Sequence, residues 1–289
     1  MKCIFHRTDY DGKCSGAIVY NKFTDCELYP IDYVDIFDFN KIEQGEQVIM
    51  VDFTLEGPDQ MLELATLSDL IWIDHHKSAL EIEKHNDLKD VKGVRKEGVG
   101  ACELVWKMLN PTKRLPYSIF LLSKYDVWQN EGALWKDAIL PFQYGMRLHH
   151  GWPDETNFWE PLFNTTEESE LIKDIIKEGR AAQRYDENLS ERVAKGLWFP
   201  IEFEGLKFQV INRSHANSLS GESIWNPEEY HALMFFARGP DKWKITMFTD
   251  RENIDLSKIA KKHGGGGHKQ ACGFSTNNIM DVIPQLINI

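Results

Sequence analysis

The chain has 289 residues, 42% of them hydrophobic, which is long for one domain and sufficient for two with separate cores. Its formal net charge is −12, and because Lys+Arg equal Asp+Glu in number from Leu197 onward, the whole acidic excess lies in residues 1–196. An acidic body excludes a broad basic groove for long nucleic acid, while a small anionic substrate stays open to it where metal ions reverse the local field.

Residues 2–6 read as a short buried strand, 7–12 as a polar turn carrying Asp9, Asp11 and Gly12, and 15–23 as a helix. A second strand is expected at 27–31, and the run QVIMVDF at 47–53 is a strand that ends in Asp52. A helix over 58–65 opens on Pro58, a residue favoured in the first turn. The apolar run Leu70-Ile71-Trp72-Ile73 makes 69–74 a further strand, and it ends in the triplet Asp74-His75-His76. Strands alternating with helices predict βαβ units and a parallel sheet.

From Gly100 the pattern turns helical, with helices expected over 101–109, 116–128 and 132–149, the last bent at Pro141. The charged stretch 167–195 reads as one long connecting helix. The composition then changes. Strands are expected at 198–203, 207–212, 231–237, 243–248 and 271–274, with helices at 218–225 and 256–262 and a last one after the 271–274 strand, running to Leu286. The fold class is α/β. A parallel-sheet domain is expected over 1–150, a helical connector over 151–196 and a smaller α/β domain over 197–289.

Five cysteines without a C-x-x-C pair argue against a disulfide framework and against a structural zinc site. No secretory apolar region precedes Cys3-Ile4-Phe5, and no apolar run approaches ~18 residues, so a soluble cytoplasmic protein without a membrane partner is expected.

His6, Asp9, Asp11, Asp52, Asp74, His75 and His76 all fall at or just beyond expected strand ends, where open α/β sheets hold their ligands, and Asp126 closes a helical stripe. Taken alone, Asp74-His75-His76 could be a solvated turn; the other strand-end acids favour a site. Carboxylates and imidazoles without thiolates suit Mn²⁺, Mg²⁺ or Fe²⁺ over structural Zn²⁺. The ligands outnumber what one ion needs. A pair of ions about 3.5–4 Å apart, bridged by one carboxylate, would use them and would offset the repulsion of so many acids. Such a pair activates water to hydroxide and clamps a phosphoryl oxygen, so the expected reaction is hydrolysis of a phosphate ester or anhydride without a nucleophilic side chain.

The run Gly264-Gly265-Gly266-Gly267-His268 allows positive φ and close approach of backbone N–H groups to an anion, with Lys258, Lys261, Lys262 and Lys269 around it. It reads as a phosphate-binding nest with His268 as donor. Arg251 would contact phosphate or base, or pair with the acids beside it, Asp250 and Glu252. Asn212-Arg213-Ser214-His215 would line a cleft or form an ordinary loop. His149-His150 reads as a solvated helix cap, and the tryptophans as core.

Five motifs in order, HRTDYDG (6–12), VDF (51–53), DHH (74–76), KYD (124–126) and GGGGHKQACGF (264–274), extend over nearly the whole chain. With them the chain resembles the DHH phosphoesterase superfamily carrying a C-terminal DHH-associated domain. The resemblance implies that His6 and Asp9 hold one metal ion and Asp11, His75 and Asp126 the other, with Asp52 bridging. It further implies that His76 faces the substrate phosphate, that Asp74 orients a histidine, and that Gly265, Gly266, Gly267, His268 and Arg251 contact substrate in a cleft between the domains. The implied cofactors are two divalent ions, Mn²⁺ first and Mg²⁺ as the alternative.

The implied activity is that of a nanoRNase-like enzyme, which cleaves short oligoribonucleotides or linear dinucleotides to 5′-mononucleotides. The partner is then a short RNA or dinucleotide, and a homodimer is left open. Within the superfamily, the alternatives are a 3′-phosphoadenosine-5′-phosphate phosphatase, a cyclic-dinucleotide phosphodiesterase and an exopolyphosphatase. A non-catalytic nucleotide-binding module is the alternative from another class, and the full set of expected acids argues against it.

Overall fold

The structure is a computed structural model and describes residues 1–33 and 35–285. By its internal contacts the chain divides into two units, Met1–Gln183 and Arg184–Ile289.

The first unit is built on a five-stranded sheet. Its strands are β1 (Lys2–His6), β2 (Glu27–Ile31), β3 (Glu46–Val51), β4 (Ser68–Asp74) and β5 (Lys92–Arg95), in the order β2-β1-β3-β4-β5, and every pairing is parallel. All five residues of β1 are buried, as are the last four of β3, which is why these strands read as unbroken apolar runs: both faces of a parallel sheet are covered. Ile4, Val48, Met50, Leu70 and Trp72 pack one face with Phe53, Met61 and Leu64. The chain order reverses between β1 and β3, the switch point at which open parallel sheets hold ligands.

Helix α1 (Tyr10–Lys22) follows β1 and starts five residues earlier than the apolar pattern predicts. The cause is local. Asp9 caps it, its carboxylate accepting the Gly12 amide at 2.9 Å, so the expected polar turn is half helix and Asp11 sits in its first turn. Helices α2 (Gly57–Leu67), α3 (Lys77–Glu83), α4 (Ala101–Leu109) and α5 (Tyr117–Asp126) follow along the chain; α3 and β5 carry too little apolar periodicity to be read from sequence.

The single bent helix expected at 132–149 is instead α6 (Gly132–Leu134), a π-helical turn at Trp135–Ile139, and α7 (Leu140–Met146), with Pro141 in the first turn of α7. Proline has no amide to donate and is tolerated there, so the irregularity moves upstream of it.

Residues expected as a separate connector are shared between the units. Helix α8 (Thr156–Leu162) belongs to the first, where Trp159 packs near Tyr10 and Ser118 donates to the Leu162 carbonyl at 2.6 Å. Helix α9 (Glu170–Leu197) carries the boundary in its middle. Its first half lies on α7 through two glycines: a Cβ on Gly179 would stand 1.8 Å from the Pro141 carbonyl oxygen, and one on Gly145 would stand 2.2 Å from that of Ile175.

The second unit is a six-stranded mixed sheet. It comprises β6 (Trp198–Phe203), β7 (Leu206–Asn212), β8 (Ala232–Arg238), β9 (Trp243–Phe248), β10 (Gly266–Gly267) and β11 (Ala271–Thr276), ordered β10-β11-β9-β8-β7-β6, with helix α10 (Leu256–Lys262) packed on it. Phe208, Val210, Met234, Ile245 and Met247 form its core with Leu256 and Ala260. A 3₁₀ helix (Ser218–Ile224) stands where the sequence predicts a helix over 218–225. The expected last helix is a 3₁₀ turn at Ile279–Asp281, and its terminus at Leu286 lies outside the described residues. All five cysteines are free and buried. Among the described residues, no helix is long and apolar enough to cross a membrane.

Candidate metal centre

The C-terminal edge of the parallel sheet brings together every acid and imidazole expected there. His6 comes from the end of β1, Asp9 and Asp11 from the start of α1, Asp52 from the residue after β3, Asp74, His75 and His76 from the end of β4, and Asp126 from the end of α5. Their donor atoms fall into overlapping groups: His6, Asp9 and Asp52; Asp11, His75 and Asp126; and Asp52, Asp74, His75 and His76.

Asp52 joins these groups. Its Oδ2 lies 3.6 Å from His6 Nδ1, and its Oδ1 lies 3.3 Å from His75 Nε2 and 3.8 Å from His76 Nδ1. It is 1% exposed and held at φ +53°, a left-handed backbone that Asp tolerates better than most residues. Strain of this kind, about 1–3 kcal/mol, persists where the surroundings over-determine it and clusters at functional sites. Trp128, two residues beyond Asp126, also has φ +53°.

The polar atoms left over show what the cluster could hold. Both oxygens of Asp52, His6 Nδ1 and His75 Nε2 are buried without a hydrogen-bond partner in the protein. His6 Nδ1 does approach Asp9 Oδ2 at 2.9 Å, and His75 Nε2 approaches Asp126 Oδ2 at 3.0 Å, but neither contact has hydrogen-bond geometry. Buried polar groups normally find partners. Four that converge on one place, drawn from hard oxygen and imidazole donors, fit divalent cations.

Outer contacts hold these donors in place. Thr8 Oγ1 lies 2.8 Å from His6 Nε2, which leaves Nδ1 facing the acids. Asp11 accepts the amides of Ala101 at 2.6 Å and Cys102 at 2.8 Å, so the N-terminus of α4 fixes its carboxylate. Asp74 is fully buried and accepts from the His75 amide at 2.6 Å, the His76 amide at 3.0 Å and Thr54 Oγ1 at 2.5 Å, with His76 Nδ1 at 2.7 Å. A carboxylate so occupied positions its neighbour His76. The sequence assigns no role to Thr8, Thr54 or the α4 amides, since a threonine within or beside a motif carries no signal of its own.

The electrostatics follow from burial and crowding. Burial lowers the His75 pKa, but the carboxylates of Asp126, Asp52 and Asp11 outweigh it and hold it up at about 12. Burial likewise opposes, and Asp52 and Asp9 overcome, for His6, raised to about 11; Asp74 and Asp52 do the same for His76, raised to about 9. Burial, with Asp126 and Asp52 nearby, pushes Asp11 well above the usual carboxylate range, and burial also raises Asp126 against the pull of His75.

Carboxylate crowding, and for Asp11 burial above all, therefore favours the protonated forms of His6, His75 and Asp11 in the absence of metal. Metal needs neutral imidazole and ionised carboxylate, so its binding at pH 7 is expected to release protons and to weaken as pH falls. Calorimetric titration with Mn²⁺ in buffers of different ionisation enthalpy checks this, and proton uptake or no proton exchange would contradict it.

The second unit places the remaining predicted residues. The glycine run is needed for close packing: a Cβ on Gly265 would stand 2.1 Å from the Gly273 carbonyl oxygen, and Gly264 and Gly267 have φ +75° and +122°. Gly266 and Gly267 pair with β11 as strand β10. The amides of Gly264, Gly265 and His268 donate to Lys261, Ala260 and Ala271, so these three donors of the expected nest are used internally. The side chain of His268 is exposed. Arg251 does not pair with Asp250 or Glu252 beside it. Its guanidinium donates to the carbonyl of Tyr230 at 2.9 Å and to that of Pro227. Arg213 is bound to Ser190 Oγ at 2.6 Å and Asp186 Oδ1 at 2.9 Å.

No protein-family model matches the chain. Among curated proteins, an uncharacterized protein of Acanthamoeba polyphaga mimivirus is 24% identical over 293 residues, covering 97% of this chain and 64% of its own length. This chain thus spans less than two thirds of the curated relative it matches. Solved structures similar to 99% of the chain include the DHH domain of a protein described as belonging to a family of ribosomal proteins, with TM-score 0.59, 15% identity and 84% of that chain covered. They also include the pGpG-specific phosphodiesterase PggH of Vibrio cholerae, with TM-score 0.55, 14% identity and 95% covered. A third is RecJ of Thermus thermophilus in complex with Mn²⁺, with TM-score 0.52, 14% identity and 50% covered.

Proposed function

We propose that this chain, whose fold is that of the DHH phosphoesterase superfamily, is a metal-dependent phosphodiesterase that hydrolyses short oligoribonucleotides or linear dinucleotides to 5′-mononucleotides. The observation that carries the reading is Asp52, a buried carboxylate with two unpartnered oxygens, one directed at each of two ligand groups. Two divalent ions, Mn²⁺ first among them, would supply hydroxide from water and the positive charge that a phosphoryl group needs. His6 and Asp9 would hold one and Asp11, His75 and Asp126 the other, with Asp52 between them.

The protein's own part is orientation. Asp74, locked by Thr54 and two backbone amides, fixes the His76 ring through Nδ1, and His76 held in this way would donate to a phosphoryl oxygen as its charge grows. In the second unit Gly265, Gly266, Gly267 and His268 would contact the substrate, with the side chains of His268 and Lys269 as donors to an anion.

Mn²⁺-dependent turnover of a panel tests the proposal: a labelled dinucleotide, a five-residue RNA, a cyclic dinucleotide, phosphoadenosine phosphate and polyphosphate. The dinucleotide and the short RNA are expected to be cleaved fastest, giving 5′-mononucleotides. Faster release of phosphate from phosphoadenosine phosphate or polyphosphate would replace this reading with a phosphatase. Nucleotide binding without any turnover would replace it with a binding module.

A further inference from the structure

Tyr33 stands beside the acid cluster, and the hydrolysis described above does not use it. Its ring centroid lies 5.3 Å from that of His6, 6.3 Å from that of His76 and 4.8 Å from that of Phe53. Phe53 is buried and stands 6.1 Å from His6, so Tyr33, Phe53 and His6 form one aromatic wall at the His6–Asp52 end of the cluster. Tyr33 alone of the three is open to solvent, with 55% of its surface exposed.

Asp32 and Asp35, on either side of it, are tied down. Arg7 bonds the carboxylate of Asp35 through both terminal nitrogens, Asp35 accepts the Asp32 amide at 2.9 Å, and Asp32 accepts the Tyr33 amide at 2.7 Å. A large apolar ring is thus held at the mouth of a cluster of charged groups, supported behind by Phe53 and uncovered in front among the described residues.

Such a ring has little to offer a bare phosphate, which prefers donors and cations. It suits a planar, weakly polar group attached to one. Stacking on an aromatic side chain is tolerant of base identity, because every base has a π-face, and is worth tenfold or more in affinity, roughly. A nucleoside joined to a phosphate at His6 and His76 would have this ring beside it.

We propose that Tyr33 is a specificity-determining residue that stacks a base next to the scissile phosphate, so that the site prefers base-bearing diesters to base-free esters and anhydrides. The inference rests on the phosphodiesterase reading and deepens it by naming the residue that selects for a base.

The test compares the Mn²⁺-loaded wild type with Tyr33→Ala, Tyr33→Phe and Tyr33→Trp on a diribonucleotide and on its base-free analogue, two abasic sugars joined by the same phosphodiester. Tyr33→Ala is expected to raise KM for the dinucleotide about tenfold, with a smaller change in kcat, and to cut the preference for it over the abasic diester by a similar factor. Tyr33→Phe and Tyr33→Trp are expected to keep that preference. Equal losses of kcat on both diesters, unrescued by Phe, would overturn the proposal by placing the hydroxyl in the chemistry. A Tyr33→Ala protein with the wild-type preference would overturn it as well. Should the wild type turn over neither diester, the phosphodiesterase reading falls by itself. Binding of AMP then decides the stacking: tenfold weaker binding by Tyr33→Ala supports it, and equal binding overturns it.

Discussion

Asp52→Asn is expected to reduce Mn²⁺-dependent diester hydrolysis by roughly a thousandfold or more while leaving the far-UV circular dichroism spectrum unchanged. The substitution is close to isosteric, and Asn accepts the left-handed backbone that position 52 adopts at φ +53°, so the fold has no reason to change. What is lost is the charge. An amide presents one neutral oxygen where the carboxylate presents two negative ones, and both of those are buried without a partner in the protein. Neither His6 on one side nor His75 on the other can replace a shared anion. Turnover of a labelled dinucleotide measures the effect, and an Asp52→Asn or Asp52→Ala protein with full metal-dependent activity would sink the two-ion reading.

Gly12→Ala is expected to act through packing and to cost nearly as much. A Cβ at position 12 would stand 2.1 Å from the His6 carbonyl oxygen and 2.8 Å from the His6 Cβ, both far inside contact distance. The carbonyl belongs to a buried strand and cannot swing away, so α1 must lift off β1. Overpacking of this kind costs roughly 3 kcal/mol. For a chain of this size that lowers the melting temperature by roughly 6–12 °C. The shift also separates His6 on β1 from Asp9 and Asp11 on α1, so Mn²⁺ affinity should drop together with stability. Thermal melts with and without Mn²⁺ check it: a Gly12→Ala protein with the wild-type melting temperature and the wild-type stabilisation by Mn²⁺ would show that the close approach is not needed.

Much of the site is legible in the sequence because its information is local. Asp52 and Asp74-His75-His76 follow apolar runs whose length and β-branched content mark buried strands, and a parallel sheet presents all its strand ends along one edge. Other parts mislead where short-range chemistry competes with periodicity. The start of α1 is set by the Asp9 cap and by what Gly12 allows, and both lie before the apolar pattern begins. The glycine run reads as a nest, yet glycine permits positive φ for several purposes. Its structural use is a tight strand pair against Gly273 and Cys272. Arg251 has an acid on either side and pairs with neither; its Nη2 donates instead to two backbone carbonyls of a distant turn.

The sequence by itself determined which residues could be ligands and which strand ends carry them. These are properties of composition and short-range order, and no folding was needed to see them. Only the tertiary structure decided how the ligands are held. The contact between Asp11 and the α4 amides links residues 90 apart, and that between Thr54 and Asp74 links residues 20 apart. Tyr33 meets His6 and His76 because β1, β2 and β4 end along the same edge. The left-handed turn at Asp52 arises where the chain leaves β3, its amide bonded to the Ile73 carbonyl of β4. Each of these depends on the register of strands distant in sequence. Local periodicity can locate a strand, but only the completed sheet fixes which side chains its neighbours bring alongside.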